Sequence, residues 1–212
     1  MRNHLIIMLS FLAILGFKSD HSSIEKTQFL KKAESIVNKD TLGSFNGVVM
    51  IVHEDKVLFQ CAKGYSDFER KKPMKMSNHF VIGSISKQFT AAMILRLYEQ
   101  GKIQLNVPIK TYLNDLKMSW ADSITISHLL THTHGVYNKN VVSSFQAGKG
   151  FNYTFANFGY GLLAEIIEKV SNQSFAEVSR NLFKELGMKQ SFHPQFYNKG
   201  ILPKGYASND SG

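Results

Sequence analysis

The run Phe80-Val-Ile-Gly83-Ser84-Ile-Ser-Lys87-Gln-Phe-Thr90, continuing as Ala-Ala-Met-Ile-Leu-Arg-Leu-Tyr-Glu-Gln-Gly101, constrains this chain more than any other stretch. A short apolar approach meets Gly83 and Ser84, and a helical pattern follows for about four turns until Gly101 stops it. Ala91 to Leu95 is apolar all the way round the helix, which predicts a buried element. Ser84 and Lys87 stand three residues apart at its start, so their side chains share one face.

That pairing has chemical content. A serine hydroxyl attacks a carbonyl only when a neighbouring base takes its proton. A lysine serves as that base when burial and the positive end of a helix dipole favour the neutral amine. Backbone N–H groups of the first turn can donate to an oxyanion forming on the substrate. The spacing alone is weak, because a bare Ser-x-x-Lys arises by chance about once in a chain of this length. Ser23-Ile-Glu-Lys26 is such a decoy: Ser22 and Glu25 read there as a capping box opening a surface helix, without an apolar approach.

The context of Ser84 is more specific. Phe80-x-Ile-Gly-Ser84-Ile-Ser-Lys87-Gln-Phe-Thr-Ala-Ala is followed by Glu99-Gln-Gly-Lys-Ile-Gln-Leu105. Then come Ile124-Thr-Ile-Ser-His-Leu-Leu-Thr-His-Thr-His-Gly135 and Asn157-Phe-Gly-Tyr-Gly-Leu-Leu-Ala-Glu-Ile-Ile-Glu-Lys-Val170. These three blocks, in this order over roughly Gly47 to Gly187, resemble the serine β-lactamase-related hydrolases: class C β-lactamases, D-alanyl-D-alanine carboxypeptidases and related esterases. The resemblance implies an α+β fold of the β-lactamase/transpeptidase kind, an antiparallel sheet flanked by helices plus a helical subdomain. It implies that Ser84 is the acylated nucleophile, Lys87 its base and Asn157 the residue that orients the substrate. Acyl transfer of this kind needs no metal or organic cofactor. The implied partner is a small-molecule or peptidoglycan-derived substrate: a β-lactam, a D-Ala-D-Ala peptide or an ester.

Two departures from the family pattern stand out. The second family motif is Tyr-x-Asn, and aligning Asn157 on its asparagine sets Phe155 where the proton-transferring tyrosine belongs. A phenyl ring moves no proton, and such a group typically contributes about 10²–10⁴-fold in rate. Tyr153 fills the role only if the backbone shifts by two residues. The third family motif, Lys-Thr-Gly or His-x-Gly on a late strand, is absent before Gly212. The expectation is a domain lacking its C-terminal strands, as a piece of a longer protein or as a truncated, weak or inactive envelope protein that binds wall fragments or partners.

The rest of the chain fits this reading. Residues 1–19 read as a secretory signal: Arg2 precedes an apolar run from Leu5 to Phe17 broken only by Ser10, too short for an ordinary spanning helix. Export to the periplasm or cell exterior follows, with an uncleaved anchor as the alternative, and residues 20–212 form the partial hydrolase domain. Cys61 stands alone, which excludes an internal disulfide and predicts a buried structural thiol. Lys and Arg outnumber Asp and Glu 25 to 16. The lysines are scattered and no nucleic-acid motif is present, so contact with envelope polyanions is the most that charge implies.

A helix is expected over Ser23 to Asn38, and a hairpin over Phe45 to Ala62 turning at Glu54-Asp55. The apolar Gly47-Val-Val-Met-Ile-Val52 predicts a strand covered on both faces. Pro108 opens a short helix to Leu113, Ile124 to Leu130 passes from strand to helix, and two amphipathic helices occupy Phe155 to Ser171 and Ser174 to Leu186. His128, His132 and His134 invite a metal reading, but a metalloprotease helix wants Glu at position 129, where this chain has Leu. These histidines therefore read as structural, and no metal is expected.

Overall fold

The computed structural model describes residues 21–38, 45–136, 156–197 and 202–205. The signal-like residues 1–19, Tyr153 and Phe155 lie outside them. Two compact units emerge, one comprising Met1–Asn78 with Pro203–Gly212, the other His79–Leu202.

In the first unit, helix α1 spans His21–Val37, β1 Gly47–His53 and β2 Lys56–Lys63. The helix begins one residue ahead of Ser22, and among its described apolar side chains only Val37 is buried. The strands pair antiparallel, with Val49 opposite Cys61 and His53 opposite Lys56. Glu54 and Asp55 both take positive φ, 47° and 60°. That is the left-handed two-residue turn whose twist matches the flanking strands. The expectation that β1 is covered on both faces is overturned: Met50 is 54% and Val52 52% exposed. An unbroken apolar run records what a strand can bury, and alternate side chains of a two-stranded ribbon still point away from each other. Cys61 is half-buried.

Strands β3, Tyr65–Asp67, and β4, Lys72–Pro73, form a second ribbon. It is tied off electrostatically. Asp67 is buried, accepts a hydrogen bond from the Arg70 N–H and meets Lys204 Nζ at 3.1 Å. The Arg70 N–H, then Lys204, hold its carboxyl below the usual range.

The second unit contains the large core. Helix α2 spans Lys87–Glu99, α3 Ile126–Leu130, α4 Ala156–Ser171 and α5 Phe175–Glu185. Met93, Ile94 and Leu97 of α2 meet Leu162, Leu163, Ile166 and Ile167 of α4, with Leu182 of α5 and Trp120, Ile124 and Leu129 closing the cluster. Burial at 162, 163, 166 and 167 is one helical stripe, the sign of a helix held by tertiary packing. The surface of α2 departs from expectation. Leu95 is 44% and Tyr98 49% exposed, because its neighbours cover one side only.

Helix ends follow local chemistry. Ser174 and Glu177 form a reciprocal capping box at the start of α5. Gly101 and Gly187 close α2 and α5 at φ 68° and 67°. In each case the residue after the glycine donates to a carbonyl five residues back: Lys102 N–H to Leu97, Met188 N–H to Phe183. These are paired C-terminal hydrogen bonds that favour glycine. Arg96 on α2 reaches both carboxylate oxygens of Glu185 on α5, at 2.9 and 2.7 Å. Among the described residues no helix is long and apolar enough to cross a membrane.

Two glycine replacements are expected to act with opposite signs. Gly187→Ala forces a left-handed alanine and should cost about 1 kcal/mol, lowering Tm by roughly 2–4 °C. Gly161→Ala, in α4 with open space where the methyl would sit, should raise Tm, since helix propensity favours alanine by up to about 1 kcal/mol. Thermal melts of the two variants check both signs.

Candidate active site

Ser84 does not lie on the α-helix itself. Gly83–Ser86 forms a 3-10 turn, and Lys87 is the first residue of α2. Gly83 is left-handed, φ 55°, which lets the apolar approach swing into the turn without a Cβ clash. The Ile85 N–H donates to the Ile82 carbonyl at 3.2 Å and the Ser86 hydroxyl to the Gly83 carbonyl at 2.7 Å, so the turn is braced from both sides. With three residues per turn, positions i and i+3 eclipse. Ser84 and Lys87 are therefore more closely aligned than an α-helix would make them. Neither the turn nor α2 has a side-chain cap at its N-terminus.

Lys87 Nζ donates to Ser84 Oγ at 3.1 Å and to Asn157 Oδ1 at 2.7 Å. All three residues singled out from the sequence thus meet at one ammonium group. Ser84 and Asn157 are exposed and Lys87 half-buried, so the group is reachable from solvent. Asn157 sits in the first turn of α4, whose buried stripe locks it against α2. Proton transfer from the Ser84 hydroxyl to the Lys87 amine would need no intervening water.

Sequence reasoning missed Tyr160 and read His132 as structural without placing it beside the site. Tyr160 is one turn beyond Asn157 on α4, and its ring centroid lies 5.6 Å from Lys87 Nζ. Its hydroxyl donates to the Leu130 carbonyl at 3.2 Å, and burial pushes the phenol above its ordinary range. The His132 ring lies on it at 4.8 Å, tilted 33°. The signal available was the Asn157-x-x-Tyr160 spacing, which sets both residues on one helical face.

The three histidines have separate structural duties. His128 Nδ1 accepts from the Thr125 N–H while its own N–H donates to Thr125 Oγ1, so it plays the part that Glu or Gln plays in a capping box on α3. His132 ends α3 in the left-handed conformation, φ 58°, with the Thr133 N–H donating to the His128 carbonyl at 2.9 Å. Burial, and then the charge of Lys87, hold its imidazole below the ordinary range. His134 is fully buried. Its Nδ1 accepts from the Val136 N–H at 3.1 Å. A Cβ at position 159 would approach its Nε2 to 2.5 Å, so Gly159 leaves the room in which this ring lies. Among the described residues, no three His, Cys, Asp or Glu side chains come together to hold a metal.

A family model described as Beta-lactamase matches residues 37–199. Penicillin-binding protein 4* of Bacillus subtilis (strain 168) is 29% identical over 195 residues, covering 78% of this chain and 42% of that protein. Teichoic acid D-alanine hydrolase of Staphylococcus aureus is 31% identical over 188 residues, covering 79% of this chain and 46% of that protein. Among solved structures, FmtA from Staphylococcus aureus superposes with a TM-score of 0.68 at 27% identity, over 90% of this chain and 57% of that one. The chain thus spans less than half the length of these two curated relatives.

The buried imidazole of His134 sets a pH dependence. Burial first, and the charges of His132 and His128 second, lower its pKa from 6.5 to about 4. The folded state holds it neutral, whereas the unfolded chain takes up a proton below 6.5. Its contribution is therefore complete above that value and is lost as pH falls toward 4. Thermal melts between pH 7 and 4 should show a steeper fall in Tm for the wild type than for His134→Ser.

Proposed function

Because the chain belongs to the beta-lactamase family, we propose that it is the nucleophile-bearing part of an exported serine hydrolase that acts through an acyl-enzyme at Ser84. The observation that carries this reading is Lys87 Nζ, within hydrogen-bond reach of both Ser84 Oγ and Asn157 Oδ1. In the proposed reaction, neutral Lys87 takes the Ser84 proton as Oγ adds to the substrate carbonyl carbon. The tetrahedral intermediate collapses, the bond to the leaving group breaks, and Lys87 returns the proton to the departing nitrogen or oxygen. Water then attacks the ester carbonyl and releases Ser84. Asn157 orients the scissile amide or ester.

The proposed substrates are β-lactams, D-Ala-D-Ala peptides and esters, and the proposed location is the periplasm or cell exterior. Support comes from the names of the relatives, one a penicillin-binding protein and one a teichoic acid D-alanine hydrolase. The apolar run from Leu5 to Phe17 supports export.

A second reading is favoured by Phe155. Without a tyrosine at that position the chain would acylate slowly or stall as the acyl-enzyme, acting as a binder of wall fragments and not as a turnover enzyme.

Intact-mass analysis after incubation with a fluorescent penicillin and, separately, with a fluorophosphonate tests the nucleophile. A single adduct on the wild type is expected, none on Ser84→Ala, and formation slowed by about 10²–10⁴-fold in Lys87→Ala. The absence of any adduct on folded wild type would overturn the acyl-enzyme reading. Phe155→Tyr separates the two readings: release of the acyl group should quicken, by up to about 10²-fold, if a missing proton carrier is what slows it.

A further inference from the structure

The geometry points to Tyr160 as a positioning residue: its aromatic face seats the Lys87 ammonium against Ser84 and Asn157. The inference rests on the acyl-enzyme reading above and adds a residue to it.

A lysine ammonium is a compact charge on a flexible four-carbon stem, with three donors that can rotate freely. In the proposed reaction neutral Lys87 becomes this ammonium as it takes the Ser84 proton, so whatever holds the charge in place favours the step. Two of its donors go to Ser84 Oγ and Asn157 Oδ1. Among the described residues Lys87 makes no ion pair within 4 Å. Its remaining neighbour of note is the Tyr160 ring, 5.6 Å from Nζ. That is inside the roughly 6 Å over which a cation is drawn to an aromatic face. Among the described residues its neighbours of note are thus a hydroxyl, an amide and a ring, all uncharged. A ring attracts the cation without competing with Ser84 for a hydrogen bond.

The ring is itself fixed. Asn157 and Tyr160 project from the same face of α4 one turn apart, so a single rigid helix aims both at Lys87. The Tyr160 hydroxyl is committed to the Leu130 carbonyl at the end of α3. Burial raises the phenol's pKa and keeps it a neutral donor. That commitment takes the hydroxyl out of proton transfer and leaves the π face as what Tyr160 offers Lys87. His132 lies on the same ring. Its backbone at the end of α3 is left-handed, a conformation that in a non-glycine residue persists where the surroundings hold it.

The test grades the π face while keeping the ring's shape. Phenylalanine and its mono-, di- and trifluoro analogues are incorporated at position 160 of the full chain. The second-order rate of fluorophosphonate addition to Ser84 is then followed by intact mass. The trifluoro ring should react about tenfold more slowly than Tyr160→Phe, with a graded decline between them. A purely space-filling role predicts a flat series, which would overturn the proposal. A second readout needs no catalysis. Lysines are labelled by reductive ¹³C-methylation, and Lys87 is identified by its disappearance in Lys87→Arg. Ring current should move its resonance upfield of the exposed lysines. An unshifted Lys87 signal would overturn the seat even where Ser84 reacts. An upfield signal on a wild type that forms no adduct would support the seat and reject the acyl-enzyme reading alone.

Discussion

The site depends on one short piece of backbone, the 3-10 turn from Gly83 to Ser86. A left-handed glycine starts it, three-residue periodicity stacks Ser84 over Lys87, and α2 begins where the turn ends. An α-helical start at Ser84 would offset the two side chains by about 60° around the helix axis instead of eclipsing them. The direct contact of amine and hydroxyl thus follows from a local choice between two helical forms. Ser86 and Ile82 make that choice by bracing the turn with a side-chain and a backbone hydrogen bond.

The third participant arrives by tertiary packing. Asn157 is seventy positions from Lys87. Nothing local brings them together. The stripe at Leu162, Leu163, Ile166 and Ile167 does so by pressing α4 against Met93, Ile94 and Leu97 of α2. Core and site are consequently one mechanical object. Burial of about 0.8 kcal/mol per methylene is spread over many side chains, and its result is that one amide oxygen stands 2.7 Å from one ammonium. The Arg96–Glu185 pair and the Phe89–Phe183 edge contact at 5.2 Å bring α5 against α2 as well.

The histidine segment shows how residues suited to metal binding are put to other use. His128 caps and His134 fills, each accepting a backbone N–H at Nδ1, and His132 turns through its backbone angle. Their close spacing is a by-product of a five-residue helix being started, stopped and anchored within a few positions. The buried imidazole of His134 loses affinity for protons, because a charged ring there has no solvent to stabilise it.

Much of this was legible in the sequence because it is local. The Ser84–Lys87 spacing, the stops at Gly101 and Gly187, the Glu54-Asp55 turn and the amphipathic stripe of α4 each depend on residues within a few positions of one another. Motif order also carried the family and with it the α+β fold. What sequence could not decide was exposure and long-range contact. Val48 to Val52 reads as a covered strand, yet Met50 and Val52 face outward. Ala91 to Leu95 reads as buried all round, yet Leu95 is exposed. An apolar side chain states only that burial is favourable, whereas a neighbouring element decides whether burial happens. Tyr160 illustrates the same limit from the other side. Its place beside Lys87 exists only because α2, α3 and α4 pack together, and no periodicity within one helix encodes a distance to another.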